Sequence, residues 1–413
     1  MWLSLSKLFL ALLILYTGYF QAVFFQIPNM LLILGFIAIL FLLIAMYQRS
    51  TPINNGFTAE IILWIGFALS SLFIGYITVM SKSHLISSIF TLIENIILII
   101  AICYISKYDG NIDYVVKVFI ILTLVSAITA IFWGEGYHGG NRISLSANTN
   151  PNGFGVSLVI GMACLLYKLN INKKLNIALV SAGVLIFLYT IILTGSRKSF
   201  LAAVLLLIYW FLFCFGGTLR KTGFGKKIGA VVLILISVTF FMCFIAPIFD
   251  ESVLFQRLTD LFEKGSAARV GMYNEAYWFF LSNPLSGIGY KNYELMSVYR
   301  TYSHSTYAEA LACTGLLGVF LYFSAYIIMV IKIIKTIINK HLNHDIHIQT
   351  RIILGFFLVM LFLGTGIIHF YQFDSSIVFA MIISFNKLYY RPKKRGFCSG
   401  ENKNCPEPIG TGS

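Results

Sequence analysis

Ser303-His-Ser-Thr-Tyr-Ala-Glu-Ala-Leu-Ala-Cys-Thr-Gly-Leu-Leu-Gly318, continued without a break in apolar character to Lys335, is the stretch whose reading decides the fold. From Thr306 to Lys335 the run is longer than the roughly 20 residues needed to cross a bilayer. Before it, residues 249–305 are too polar to lie in lipid and carry Arg257, Arg269 and Arg300. Nine apolar segments precede that loop and three follow it. A histidine therefore stands where a large polar loop re-enters a membrane.

The rest of the composition agrees. The chain has 413 residues, 58% hydrophobic and 11% charged, with a mean hydropathy of +0.84. Those values exclude an ordinary soluble domain and fit a polytopic membrane protein. The net charge of +14 is read as topology and attraction to anionic lipid, not as a nucleic-acid footprint. The seven cysteines form no C-x-x-C and no metal-type spacing. Five of them, Cys103, Cys164, Cys214, Cys243 and Cys313, lie in or beside apolar segments and read as small buried hydrophobes. No small-residue cleavage site follows the first apolar run, so no cleavable signal peptide is expected.

The expected fold is all-α: about twelve transmembrane helices and one large extracytoplasmic loop, 249–305, containing short helices. The spans fall at about 6–25, 28–47, 59–80, 85–106, 114–133, 153–169, 175–194, 199–215, 228–248, 306–335, 351–370 and 374–390. Residues 1–395 read as one membrane domain. The polar tail 396–413, with Cys398 and Cys405, reads as a disordered cytoplasmic extension. Lysines and arginines crowd the loops that would be cytoplasmic if the N-terminus is inside, and Arg391-Pro-Lys-Lys-Arg395 agrees. Both termini are then cytoplasmic. Within the long loop, Ser252–Glu263 and Ala267–Leu281 read as two short helices able to lie along the membrane surface.

This orientation singles out the cations left outside. Arg197 and Lys198 sit in Leu193-Thr-Gly-Ser-Arg-Lys-Ser-Phe200, pinched between two spans. One reading is an anion site, with Gly195 and Ser196 allowing close approach and the next helix presenting its N-terminus. The alternative is snorkelling to lipid headgroups. Gly134–Asn152 is rich in Gly, Asn and Ser around Arg142. Asn148, Asn150 and Asn152 suit sugar hydroxyls and turns equally. Arg269 opens the second loop helix, where it is a candidate anion contact or a partner of Glu275. At the start of a helix, His304 would feel the positive dipole end and stay neutral, as a base requires. Glu94 is the clearest acid inside a span, either functional or spent on a helix–helix hydrogen bond. No metal-ligand cluster, nucleotide-binding glycine loop or Asp-x-Asp pattern is present in the sequence.

Four stretches in order carry a resemblance. They are Asn148-Thr-Asn-Pro-Asn-Gly-Phe154, Thr194-Gly-Ser-Arg-Lys-Ser-Phe200, Ala268-Arg-Val-Gly-Met-Tyr-Asn-Glu-Ala-Tyr-Trp278 with Gly287-Ile-Gly289, and His304-Ser-Thr-Tyr-Ala-Glu-Ala-Leu-Ala-Cys-Thr-Gly-Leu-Leu-Gly318. Over about 140–320 the chain resembles the O-antigen ligase and O-antigen polymerase superfamily of bacterial polysaccharide assembly. The usual His-Asn pair stands here as His304-Ser305.

The resemblance implies glycan transfer from undecaprenyl diphosphate at the outer face of the bacterial inner membrane, with no cofactor, metal or nucleotide sugar. Arg197 and Arg269 would take the diphosphate, helped by Arg142 and Lys198, and His304 would serve the acceptor. Asn148, Asn150 and Asn152 would be available for sugar. The expected partners are the lipid-linked glycan, the bilayer, and a flippase and chain-length regulator, with no nucleic acid. A polymerase of repeat units is the favoured expectation. A ligase to lipid A–core and a lipid-linked-glycan transporter stand as alternatives.

Overall fold

Long segments apolar on every side form helices that bury no single stripe, which suits lipid on one side and protein on the other. The computed structural model describes residues 1–23, 30–48, 58–78, 82–169, 173–215, 252–264, 267–339 and 341–390. The expected ninth span (228–248), the opening of the long loop and the tail 396–413 lie outside the described residues.

The helices are α1 (Trp2–Leu15, continued by a wider turn over Tyr16–Phe20), α2 (Met30–Gln48), α3 (Ala59–Ile77), α4 (Lys82–Asp109) and α5 (Asp113–Trp133). A two-stranded hairpin follows, β1 (Glu135–Gly136) and β2 (Ile143–Ser144), paired antiparallel. Then come α6 (Pro151–Tyr167), α7 (Lys174–Thr194) and α8 (Arg197–Tyr209). The long loop holds α9 (Val253–Lys264), α10 (Ala267–Ser282) and α11 (Tyr293–Met296). Last are α12 (Thr306–Ile338), α13 (His344–Leu363) and α14 (Phe373–Tyr389). Among the described residues, eight helices are long and apolar enough to cross a membrane, and Ile33–Ala45 and Pro151–Tyr167 are shorter apolar helices.

The two central helices are short. α14 is buried continuously from Ser375 to Asn386, and α6 is buried over most of its length. α14 packs against α4, α12 and α13. Outward-facing large apolar residues such as Phe36, Ile62, Phe73 and Phe320 are exposed, as contact with lipid requires.

The alternating helix directions sort the polar groups to two ends. At one end, Lys7 pairs with Asp109, Lys168 with Asp113 and Lys332 with Glu60. At the other end lie the hairpin after α5, the α7–α8 reversal, the long loop and residues 364–372 after α13. Hydrogen bonds tie these pieces together: Arg142 to Thr194, Asn292 to Thr78, and Thr306 to Gly364.

Two departures from expectation matter. The span expected at 351–370 is a helix that begins at His344, capped by Asn343, and ends at Leu363. Residues 364–372 instead form an irregular cover with one short turn, His369–Tyr371. Second, α12 is broken at Gly315 (φ +58°, ψ −163°). The segment 284–289 fills the break. Leu316 and Leu317 donate to the Pro284 and Leu285 carbonyls at 2.8 and 3.1 Å, while Ile288 and Gly289 donate to Ala312 and Cys313 at 2.9 and 3.0 Å. Irregular backbone at membrane depth is tolerated only where protein satisfies it in this way.

Candidate active site

The site is built on the reversal Thr194-Gly195-Ser196. Gly195 adopts φ +60° and closes α7 in the left-handed conformation that favours glycine. The last carbonyls of a helix have no partner within it and form its negative end. Here guanidinium groups fill that role. Arg142 Nε donates to the Thr194 carbonyl at 2.9 Å, and Arg257 Nη1 donates to the Gly195 carbonyl at 2.6 Å. Arg197, at the start of α8, donates from Nη1 to the Arg257 carbonyl at 2.7 Å. One tight turn thus collects three arginines from three distant parts of the chain.

α6 supplies the facing wall. Asn150 caps it by accepting the Asn152 N–H at 2.9 Å, and Pro151 takes the first helical position, where its missing N–H costs nothing. Asn152 is thereby presented to Arg142, whose Nη2 donates to Oδ1 at 2.8 Å. α6 and α8 touch closely because Gly155 has no side chain: a Cβ there would lie 2.7 Å from Ser199 Oγ.

Between these walls is a narrow open cleft. Arg197, Lys198, Arg257 and Arg269 line it, with Asn152 and Ile367, and none of its lining residues is acidic. Crowding like charges in a half-buried site raises the local potential. Burial, and then neighbouring guanidinium groups, lower the pKa of both Arg142 and Arg257. Arginine keeps its proton regardless, so a bound anion would relieve the repulsion. Lys198 Nζ donates to the Thr365 carbonyl, and the Tyr273 hydroxyl donates to the same oxygen at 3.2 Å.

His304 adjoins this cleft through the 364–367 segment. Thr306 N–H donates to the carbonyls of Gly364 (2.8 Å) and Ile367 (3.1 Å), and the Thr306 hydroxyl donates to Ile367 at 2.8 Å. His304 holds φ +57°, unusual for a residue with a side chain. Its ring lies 4.3 Å from that of Tyr302, whose hydroxyl accepts from Asn150 Nδ2 at 3.4 Å. Burial, then the charges of Arg269 and Lys198, lower its pKa to about 4. The imidazole is therefore neutral at physiological pH, with one ring nitrogen carrying no proton.

The expected site residues divide accordingly. Arg197, Lys198, Arg269 and Asn152 line the cleft, and Arg142 reaches in behind Asn152. Asn150 is a helix cap that also contacts Tyr302. Asn148 is exposed in a turn closed by Thr149 N–H to the Ser146 carbonyl and is not part of the lining. Glu275 is not the partner of Arg269: it accepts from Tyr293, Ser297 and the Val298 N–H. Arg257 was not singled out by sequence. The amphipathic helix around it is legible, but its contact with Gly195 is not. Glu94 lies near Lys291, whose ammonium sits 5.3 Å over the Tyr371 ring.

Residues 182–323 match the family model described as O-Antigen ligase. That match supports membership of the O-antigen ligase and polymerase superfamily. No curated protein sequence matches the chain. The matched segment contains Arg197, Arg257, Arg269 and His304, while Arg142, Asn152 and the 364–367 cover come from outside it. Members of the family are membrane glycosyltransferase-like enzymes, and eight helices of this chain, among the described residues, are long and apolar enough to cross a membrane.

Proposed function

We propose that the protein polymerises undecaprenyl-diphosphate-linked oligosaccharide repeat units into a surface polysaccharide, at the outer face of the bacterial inner membrane. The observation that carries this is the acid-free cationic cleft beside a neutral histidine. A diphosphate needs several cations at once, and sugar transfer to a hydroxyl needs a base.

The reaction follows from those groups. The acceptor hydroxyl loses its proton to His304, and its oxygen attacks the anomeric carbon. The bond from that carbon to the phosphate oxygen breaks, and the lipid diphosphate leaves with the electron pair. Attack opposite the leaving group inverts the anomeric centre. Arg197, Arg257 and Arg269, with Lys198 and Arg142, stabilise the departing charge by charge-assisted hydrogen bonds worth about 1.5–3 kcal/mol each. A positioned base contributes about 10²–10⁴-fold. Asn152 and Asn150, with Tyr302, are the proposed contacts for sugar hydroxyls. Placing this end of the bundle outside rests on the lysine and arginine bias of the loops.

The family description favours a second reading, a ligase whose acceptor is lipid A–core. Both readings use one catalytic arrangement and differ in acceptor. The deciding experiment incubates purified protein in detergent with lipid-linked repeat units, alone or with lipid A–core. A ladder of lengthened glycan supports polymerase, and a single transfer to core supports ligase. Vesicle translocation of the substrate without any transfer would leave only a transporter.

A further inference from the structure

Glu309 is fully buried in the first turn of α12 and does not line the cleft. A carboxyl group so placed is costly unless its oxygens are occupied. They are occupied by specific groups. The Ser303 N–H donates to Oε2 at 2.8 Å, and the Tyr371 hydroxyl donates to Oε1 at 3.0 Å. Cys313 Sγ lies 3.7 Å from Oε1. The Tyr371 oxygen in turn accepts the Lys291 N–H at 3.2 Å.

The peptide that Glu309 grips joins Tyr302 to Ser303, immediately before His304. The left-handed backbone of His304 persists only where its surroundings over-determine it. On the far side, Ser305 caps α12 by accepting the Ala308 N–H at 3.4 Å, and Thr306 is fixed to residues 364 and 367. On the near side, the Ser303 hydroxyl donates to the Ser305 carbonyl at 3.1 Å, so it braces the turn from within. Glu309 holds the near-side backbone through the Ser303 N–H, while Asn150 holds only the Tyr302 hydroxyl at the far end of its side chain.

We infer that Glu309 is a positioning residue: it clamps the Tyr302–Ser303 peptide and so aims the His304 imidazole and the Tyr302 ring at the cleft. It touches no substrate, being walled off from the cleft. This role rests on the transferase reading, and it deepens that reading by naming what holds the base in place.

The test compares wild type, Glu309→Ala and Glu309→Gln in the full-length protein. The first readout is transfer kinetics. The second is carbethoxylation of His304 by diethylpyrocarbonate, resolved by mass spectrometry across pH, which needs no activity. In Glu309→Ala, kcat falls about 10²-fold, the cost of misplacing a reacting group by about 1 Å, while donor KM stays near wild type. The His304 labelling midpoint rises from near 4 toward the ordinary histidine value of about 6.5. Glu309→Gln recovers most of the lost kcat, because its amide oxygen can still accept the Ser303 N–H. Unchanged kcat in Glu309→Ala, a loss confined to KM, or an unmoved labelling midpoint would overturn the inference. So would a folded Glu309→Gln as inactive as Glu309→Ala, since its charge would then be what matters. Should Glu309→Ala not fold, Tyr371→Phe loosens the same carboxyl and is expected to shift kcat and labelling in the same direction. A wild type without transfer activity sinks the transferase reading, and the labelling arm alone then decides the clamp.

Discussion

Arg197 and Arg257 hold each other's segments across the α7–α8 reversal. Arg197 donates to the backbone carbonyl of Arg257, and Arg257 donates to the carbonyl of Gly195, two residues before Arg197. Both side chains also line the cleft. The pair should therefore behave as a unit. Arg197→Ala and Arg257→Ala each lower kcat/KM by about 10–10²-fold, from 1.5–3 kcal/mol per charged contact. The double variant loses clearly less than the product of the two, which a double-mutant cycle measures. Full multiplicativity would mean that they act separately.

Replacing Arg197 by lysine keeps the charge but not the planar fork. It is expected to cost nearly as much as alanine, because an ammonium cannot bond both the Arg257 carbonyl and a phosphate in the same geometry. Steady-state kinetics on the lipid-linked donor would show it, and wild-type turnover in Arg197→Lys would count against a diphosphate here.

The pH dependence has a defined sign. His304 has its pKa lowered to about 4, by burial first and then by Arg269 and Lys198. The base form is thus complete at neutral pH and is lost only as pH falls through about 4. The acid limb of kcat/KM should lie there, since it reports the free enzyme. A bound diphosphate offsets the neighbouring cations and raises the pKa, so the acid limb of kcat should lie at higher pH. Coincident limbs would mean that the donor's charge does not reach His304.

Gly155 tests the wall of the cleft. A methyl group there would meet Ser199 Oγ at 2.7 Å, so Gly155→Ala must push the start of α8, with Arg197 and Lys198, away from Asn152. Donor KM is expected to rise about tenfold, as for an interaction worth about 1.4 kcal/mol. Thermal unfolding in detergent should also move down, because overpacking at this buried contact costs about 1–3 kcal/mol.

Transfer should also persist in excess EDTA, since five basic side chains are proposed to carry the role that a divalent cation has elsewhere. Abolition by EDTA, restored by added magnesium, would overturn that assignment.

Much of this was legible in the residues. The all-helical membrane character and most spans among the described residues were legible, because apolar length is a direct physical requirement of a bilayer. Arg197 and Lys198 stood out because two charges occupied a loop with almost no length. The sixth span was expected from about 153, and its helix starts two residues earlier, at Pro151. What could not be read depends on contacts between distant segments. Nothing near Arg257 points to Gly195, and nothing near Arg269 says that Glu275 is already engaged by Tyr293 and Ser297. The break at Gly315 was invisible because a glycine in an apolar run also suits close helix packing.

That break has a consequence for biogenesis. The two halves of α12 expose backbone donors and acceptors at Gly315 that residues 284–289 satisfy, and a Cβ on Gly315 would strike the Leu285 backbone at 2.6 Å. The plug emerges from the ribosome before the helix it completes. The chain is thus ordered so that the patch is ready when the gap forms. Swapping that order by circular permutation should leave α12 stranded during insertion, even though every residue of the finished protein would be present.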